Sequence, residues 1–166
     1  MDYSQVVVQK PWGYEYLMYE NSSVAIWYLR IDEGRKTSLH SHPGKKTGLI
    51  LLSGEAVLSF LHDSVPLKGL SKMMIRQGLF HSTTAVSSGG ASIIEIESPR
   101  DKTDLVRLED EYGREGEPYE GHDAMLPMTD EHVILSDPPK GGRNRYSLSD
   151  CMLSIETFDG ASSLQG

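Results

Sequence analysis

Short predicted strands separated by turn residues are the feature that most constrains the fold of this chain. Ten such segments, three to eight residues long, lie between residues 6 and 97. They are 6–8, 14–19, 24–31, 37–42, 47–52, 56–61, 65–67, 73–75, 80–86 and 91–97. Glycine, proline, serine and acidic residues interrupt them, and no long 3.6-residue apolar period lies between them. Strands this short, at roughly 8–12-residue spacing, predict an all-β sandwich or barrel with little helix.

The sequence changes character at Pro99. Residues 104–112 have apolar side chains at helical spacing and predict one short helix, with Thr103 as its cap and Gly113 after its end. Two later apolar stretches, 132–135 and 151–158, are expected to return as edge strands or to pack on a neighbouring subunit. We therefore predict a barrel over residues 1–98 and a loop-rich C-terminal extension over residues 99–166 that packs on the barrel or on a partner and does not fold alone.

Composition narrows the classes of function. The formal net charge of −8 argues against nucleic acid or an anionic membrane as the main partner. No apolar run approaches the 18 or so residues of a membrane-spanning helix. The single cysteine, Cys151, excludes an intrachain disulfide, and the first residues do not have the pattern of a signal peptide. A cytoplasmic protein is the simplest expectation.

His40 and His42 are the first candidates for chemistry. They lie two residues apart on a predicted strand, so their side chains project from the same face and can reach one metal ion. Two histidines at this spacing are a weak signal alone, but turn residues Gly34 and Gly54 lie on either side of them. His81 follows a further turn and begins another predicted strand, where a partly buried structural histidine is the alternative interpretation.

Two segments around these histidines carry a resemblance to a known family. Residues 34–42, GRKTSLHSH, together with the later Gly54, resemble the first cupin motif, and residues 69–81, which end in RQGLFH, resemble the second. The cupin fold is a double-stranded β-helix, or jelly-roll barrel, whose motif histidines bind a divalent metal. The resemblance therefore implies that His40, His42 and His81 bind one divalent ion. Three imidazoles accept zinc, manganese, iron or nickel.

The chain is most similar to the sugar-modifying cupins that include the type II phosphomannose isomerases. This similarity covers about residues 6–114. It also rests on the segments 10–15 (KPWGYE), 49–56 (LILLSGEA), 94–99 (IEIESP), 104–107 (DLVR) and 110–114 (DEYGR). It implies a metal-dependent, mannose-6-phosphate isomerase-like enzyme of carbohydrate metabolism that acts on a phosphorylated or nucleotide-linked sugar. Small cupin barrels usually pair, so a homodimer is expected.

Three positions depart from the family pattern. Thr47 stands where the first motif has glutamate, Arg76 where the second has proline, and His40 where the type II isomerases tend to have glutamine. A neutral three-histidine site still serves as a Lewis acid, and it also suits Fe(II), as in the three-histidine thiol dioxygenases of the superfamily. Three interpretations stay open: a sugar isomerase, a three-histidine Fe(II) dioxygenase-type cupin, and a non-catalytic cupin that binds a sugar.

Glu95 and Glu97 lie on one face of the last predicted strand. If that face points into the barrel, one carboxylate replaces the missing metal ligand or acts as the general base. If it points outwards, both are solvated. We take Glu95 as the catalytic candidate, with His62 as an alternative proton carrier should it turn inwards.

A phosphorylated substrate also needs cations. Arg35 precedes the histidine pair, and Lys45 and Lys46 follow it. We expect these three to bind the phosphate, with Lys45 also a catalytic residue because it lies where sugar-isomerase cupins often have arginine. For Lys46 a solvated turn is the alternative. Aromatic residues that could support a sugar ring, or belong to the core instead, are Trp12, Trp27, Tyr14 and Tyr28.

Overall fold

The computed structural model describes residues 2–157 and confirms the all-β prediction. Its strands are β1 (Val6–Lys10), β2 (Gly13–Glu20), β3 (Ala25–Ile31), β4 (Leu39–Ser41), β5 (Lys46–Ser53), β6 (Glu55–Phe60), β7 (Ser64–Lys68), β8 (Lys72–Ile75), β9 (His81–Ala85), β10 (Ala91–Ser98), β11 (Val106–Glu109), β12 (Met125–Pro127), β13 (Arg143–Leu148) and β14 (Cys151–Glu156). A single 3-10 turn, His122–Ala124, is the only helical element over this range. None of the described residues forms a helix with the length and hydropathy needed to cross a membrane.

Two antiparallel sheets form the barrel. The larger has the strand order β12-β1-β2-β3-β10-β5-β8, and the smaller has the order β11-β4-β9-β6-β7. Their inner faces share one apolar core, in which Trp27 and Ile93 of the larger sheet belong to the same cluster as Leu58 and Ala85 of the smaller. Burying apolar side chains from both sheets holds them face to face.

Strand alternation determines which side chains of β10 enter the barrel. Ile93 belongs to the inner core, whereas Ile94 belongs to a second cluster on the outer face of the larger sheet. Because side chains alternate along a strand, Glu95 and Glu97 are on the same side as Ile93. The inner face of β10 is therefore apolar at its start and acidic at its end.

The turn between β5 and β6 depends on Gly54. Its φ is +79°, and a Cβ at this position would lie 2.2 Å from the carbonyl oxygen of Gly90. Only glycine tolerates both the left-handed backbone and this close approach.

The chain after residue 98 adds strands to both sheets. β11 pairs with β4 at one edge of the smaller sheet, and β12 pairs with β1 at one edge of the larger. The β13–β14 hairpin packs through Leu148 on the outer cluster of the larger sheet. The extension is thus in direct contact with the barrel in a single chain.

The helix predicted over residues 104–112 is wrong. The segment is extended, and its centre forms β11. Leu105 and Leu108 are spaced for a helix face, but β4 offered an unpaired edge, and pairing with a distant strand overrode the local pattern. Of the two later stretches, residues 132–135 form no strand, although Leu135 is buried and its N–H donates to the Met18 carbonyl at 2.8 Å. Most of the stretch 151–158 is β14, and residue 158 lies outside the described residues.

Candidate metal centre

Strands β4 and β9 bring three histidines together. His40 and His81 are direct partners across the two strands, and His42 follows just after β4. Ring centroids are 4.5 Å apart for His40 and His81, 4.9 Å for His40 and His42, and 5.5 Å for His42 and His81. One ring nitrogen of each lies within 4.8 Å of those of the other two. The spacing of the histidines in the sequence thus produces one cluster.

Main-chain carbonyls orient all three imidazoles. The Nδ1 of His40 is 2.8 Å from the Ser38 oxygen, that of His42 is 2.6 Å from the Asp104 oxygen, and that of His81 is 2.9 Å from the Leu79 oxygen. A carbonyl only accepts, so each Nδ1 carries the proton and each Nε2 keeps its lone pair. The Nε2 of His42 is buried without a hydrogen-bond partner.

These lone pairs suit a metal ion. Burial lowers the pKa of all three imidazoles: the pKa of His42 falls to about 3, with the neighbouring Lys45 as the next cause, and that of His40 falls well below its ordinary value. The rings are therefore neutral at pH 7. Neutral imidazoles whose second nitrogen is fixed by a hydrogen bond are the usual metal ligands, so the residues fit a divalent ion.

Two carboxylates complete the centre. Glu95 and Glu97 are buried, and their oxygens lie within 4.8 Å of one nitrogen of His42 and of each other. The inward orientation that the sequence left open is the one the structure has. His40, His42, His81, Glu95 and Glu97 are therefore all positioned to bind a metal ion.

The structure also shows how the barrel accommodates Thr47. This residue is buried and lies directly opposite Glu97 on the neighbouring strand, so both side chains are on the same face. The acid that the first motif lacks on β5 is therefore present on β10. The sequence did not show this, because the two positions are 50 residues apart and only the β5–β10 register brings them together.

Glu95 and Glu97 differ in their protonation. Burial, and next the charge of Glu97, raise the pKa of Glu95 to about 8. Burial also acts against ionisation of Glu97, but the ammonium groups of Lys102 and Lys45 outweigh it and lower its pKa. One carboxyl thus holds its proton near neutrality while its neighbour is charged.

The structure separates the three cations that the sequence predicts at the phosphate. Lys45 is 1% exposed, and its Nζ lies 2.7 Å from Glu97 Oε1, so its charge is already paired. Lys46 is exposed, because alternation places it on the opposite face from Lys45. Arg35 is exposed beside Ala85, four residues and about 13 Å along β9 from His81. Of the three, only Lys45 lines the cavity beside the histidines.

That cavity, of about 50 Å³, has room for a few waters or the reacting end of a small ligand. Trp12 lines it, whereas Trp27 lies beneath it, with Lys102 Nζ 3.8 Å from its ring centroid. Tyr14 and Tyr28 are on the opposite face of the sheet, in the outer cluster. His62 is exposed in the turn after β6 and does not line the cavity, so it is not turned inwards as its role as proton carrier would require.

Most of the charged residues in the cavity wall were not predicted from the sequence. Five cations line it: Lys10, Lys45, Lys102, Arg107 and Arg114. Three of them, and the Tyr119 side chain beside them, come from the C-terminal extension. Lys10 and Glu15 lie in the segment KPWGYE, which the sequence marked only by its resemblance to the sugar-modifying cupins.

Glu15 is at the centre of this wall. Its Oε1 lies 3.1 Å from Lys102 Nζ and 3.5 Å from Lys10 Nζ, and it accepts a hydrogen bond from the Tyr119 hydroxyl. Although burial opposes ionisation, the two ammonium groups and the tyrosine hold the pKa of Glu15 at about 2. The extension thus contributes paired charges to the wall of the cavity beside the three histidines.

No protein-family model and no curated protein matches this sequence. Solved structures do match the fold. KdgF from Halomonas sp. aligns with a TM-score of 0.52 and 14% identity, covering 55% of this chain and 84% of that one. An RmlC-like cupin from Shewanella frigidimarina gives 0.53 and 14%, covering 58% and 85%. A double-stranded β-helix protein from Klebsiella pneumoniae gives 0.53 and 15%, covering 58% and 84%. The fold of this chain is accordingly the double-stranded β-helix of the cupins, built around a candidate metal centre.

Proposed function

We propose that this protein is a metal-dependent isomerase that moves a proton between neighbouring carbons of a carbohydrate. The observation that carries the proposal is the buried pair Glu95 and Glu97, whose carboxylate oxygens lie within 4.8 Å of a ring nitrogen of His42 in the three-histidine cluster. Isomerisation needs a group that gives and takes a proton near neutral pH beside a site that stabilises an enolate. The resemblance to sugar-modifying cupins supports carbohydrate as the substrate class.

Each residue has a distinct part in this reaction. A divalent ion held by His40, His42 and His81 would polarise a carbonyl of the open-chain sugar. Glu95, a buried carboxylate beside the histidine cluster, gives and takes the proton between the two carbons. Glu97 stays ionised beside the ammonium groups of Lys102 and Lys45 and keeps the wall polar beside the reacting carbons.

The phosphate part of a mannose-6-phosphate isomerase-like activity has less support. Arg35 and Lys46 lie outside the cavity, and Lys45 is paired with Glu97. The proposal therefore concerns the proton transfer and the sugar carbonyl, without a phosphate group.

Deuterium incorporation tests the proposal. Zinc- or manganese-loaded protein is incubated in D₂O with aldoses, ketoses, sugar phosphates and sugar acids, and exchange at the carbon beside the carbonyl is followed by NMR. We expect exchange and interconversion with the loaded protein and none after chelation. E95Q should lower the rate by about 10²- to 10⁴-fold.

Glu55→Gln is the matched control, because Glu55 is an exposed partner of Lys68 on the surface, and its rate should equal that of the wild type. A metal-loaded protein that exchanges no proton of any sugar would refute the proposal. E95Q at the wild-type rate would remove Glu95 from the proton transfer.

The Fe(II) dioxygenase alternative retains one supporting observation. Thr47 is buried, and its Oγ1 has no hydrogen-bond partner, so the motif position itself supplies no charged ligand. Oxygen consumption by the iron-loaded protein with a thiol, and none with zinc or manganese, would favour it over the isomerase.

A further inference from the structure

Arg107 occupies a distinctive place in the cavity wall. It lies on β11, directly opposite His40 on β4, so the two side chains share the inner face. Its side chain is only 4% exposed and lines the cavity. A guanidinium therefore lies immediately beside the metal centre.

One edge of this guanidinium lacks a strong partner. Nη1 donates to the carbonyl oxygens of Glu117 and Pro118 at 2.6 and 2.8 Å. Nη2 has only a 3.4 Å contact with Glu120 Oε1, and Nε is buried with no acceptor. A buried donor on a charged group is unfavourable when nothing accepts from it. Nε and Nη2 form the side-on edge of arginine, which matches the two oxygens of a carboxylate.

The other cavity cations are already neutralised by close partners. Lys45 pairs with Glu97 at 2.7 Å and Arg114 with Asp110 at 2.7 Å. Lys102 is 3.1 Å from Glu15. Lys10 contacts the carboxylate of Glu120. Because this carboxylate is also 2.6 Å from Arg114, little of the negative charge of Glu120 is left to neutralise Arg107. Arg107 is the least neutralised of the five.

We propose that Arg107 binds the carboxylate of the substrate through its Nε and Nη2 edge, next to the metal centre. This inference rests on the proposed isomerase and specifies its substrate class as a sugar acid. A carboxylate is planar and carries one negative charge, which suits one free guanidinium edge. A phosphate would bring up to two charges and three acceptor oxygens into a wall that has one incompletely neutralised cation.

Binding measurements test the inference without using turnover. Isothermal titration calorimetry of the zinc-loaded protein compares D-glucuronate with D-glucose, which has the same ring with a hydroxymethyl group in place of the carboxylate, and with D-glucose 6-phosphate. We expect D-glucuronate to bind at least about tenfold more tightly than the other two. R107Q should abolish this preference, and R107K should restore little of it, because lysine has no side-on edge.

Arg145→Gln is the matched control, since Arg145 is exposed on the distant β13, and it should keep the full preference. Circular dichroism and zinc content establish that R107Q is folded, which matters because Arg107 also binds the 117–118 backbone. Equal binding of glucuronate and glucose by the wild type, tighter binding of the phosphate, or a preference retained in folded R107Q would overturn the inference.

The inference and the proposed function fail separately. A glucuronate preference that is lost in R107Q, without proton exchange on any sugar, would support the carboxylate site and refute the isomerase. Proton exchange on sugars by a protein that binds D-glucuronate no more tightly than D-glucose would support the isomerase and refute the carboxylate site.

Discussion

Buried charges are the main residue-scale feature of this protein. Glu15, Glu97 and Lys45 are each less than a tenth exposed, and burying a charge is costly unless it is paired. Each carboxylate here contacts two ammonium groups. The free energy of unfolding should therefore depend on the protonation of these carboxylates.

Acid should destabilise the protein through Glu15. Its pKa is about 2 in the folded chain against an ordinary 4.5, so its stabilising contribution is complete above 4.5 and is lost as the pH falls through 4.5 towards 2. The shift corresponds to about 3 kcal/mol. Urea unfolding followed by tryptophan fluorescence at a series of pH values should show this loss.

Glu15→Gln should unfold more easily at pH 7, because Lys10 and Lys102 lose their partner, and its stability should fall less steeply in acid. Glu55→Gln should retain the wild-type dependence. Parallel acid profiles for wild type and Glu15→Gln would contradict this assignment.

At the scale of elements, the register between β5 and β10 determines where the carboxylate of the candidate metal centre lies. Thr47 and Glu97 face each other across these strands, so a carboxylate on β10 already lies beside the Thr47 side chain. Adding a second one would place two buried acids in contact.

T47E should therefore not restore a cupin site but destabilise this one, by about 3 kcal/mol or more. T47V should leave the free energy of unfolding within about 1 kcal/mol of the wild type, because the Thr47 hydroxyl has no partner. The exchanged pair T47E/E97T should recover part of the loss, since one carboxylate again faces Lys45. Urea unfolding of the three variants measures these differences in stability. A T47E variant as stable as the wild type would contradict the prediction.

The same elements show what could be read from the sequence. The ten predicted strand segments each overlap one of β1 to β10, because turn residues and β-branched side chains are local signals. The histidine cluster followed from a two-residue spacing and two motifs. The position of Arg107 did not, since it depends on the pairing of β11 with β4, where a helix was predicted. The pairing of Lys45 with Glu97 could not be predicted either, because only the folded barrel brings these two residues together.

At the scale of the whole molecule, the C-terminal extension completes the barrel interior. It supplies Lys102 and Tyr119 to the buried Glu15, and Lys102 also lies 3.5 Å from Glu97. The boundary predicted at residue 98 therefore marks a change in the sequence pattern. In the folded chain, buried ion pairs join the residues on its two sides. Whether the extension also contacts a second subunit in a homodimer stays a prediction.

A chain that ends at residue 98 should not form a stable barrel. It would leave Glu15 and Glu97 without Lys102, and β4 without the strand at its edge. We expect little cooperative unfolding in urea and aggregation in size-exclusion chromatography. In the 166-residue chain, Lys102→Met should lower the free energy of unfolding by less than the truncation does. A truncated chain with the urea midpoint of the full chain would show that the barrel folds without its extension.

The main-chain carbonyls behind the three histidines have a consequence for how this protein can evolve. Ser38, Leu79 and Asp104 contribute their backbone oxygens, so replacing these side chains does not remove the groups that set the imidazole tautomers. Mutation can then change the surrounding residues, and with them the ligand, while the path of the backbone keeps the three imidazoles in the same tautomer and orientation.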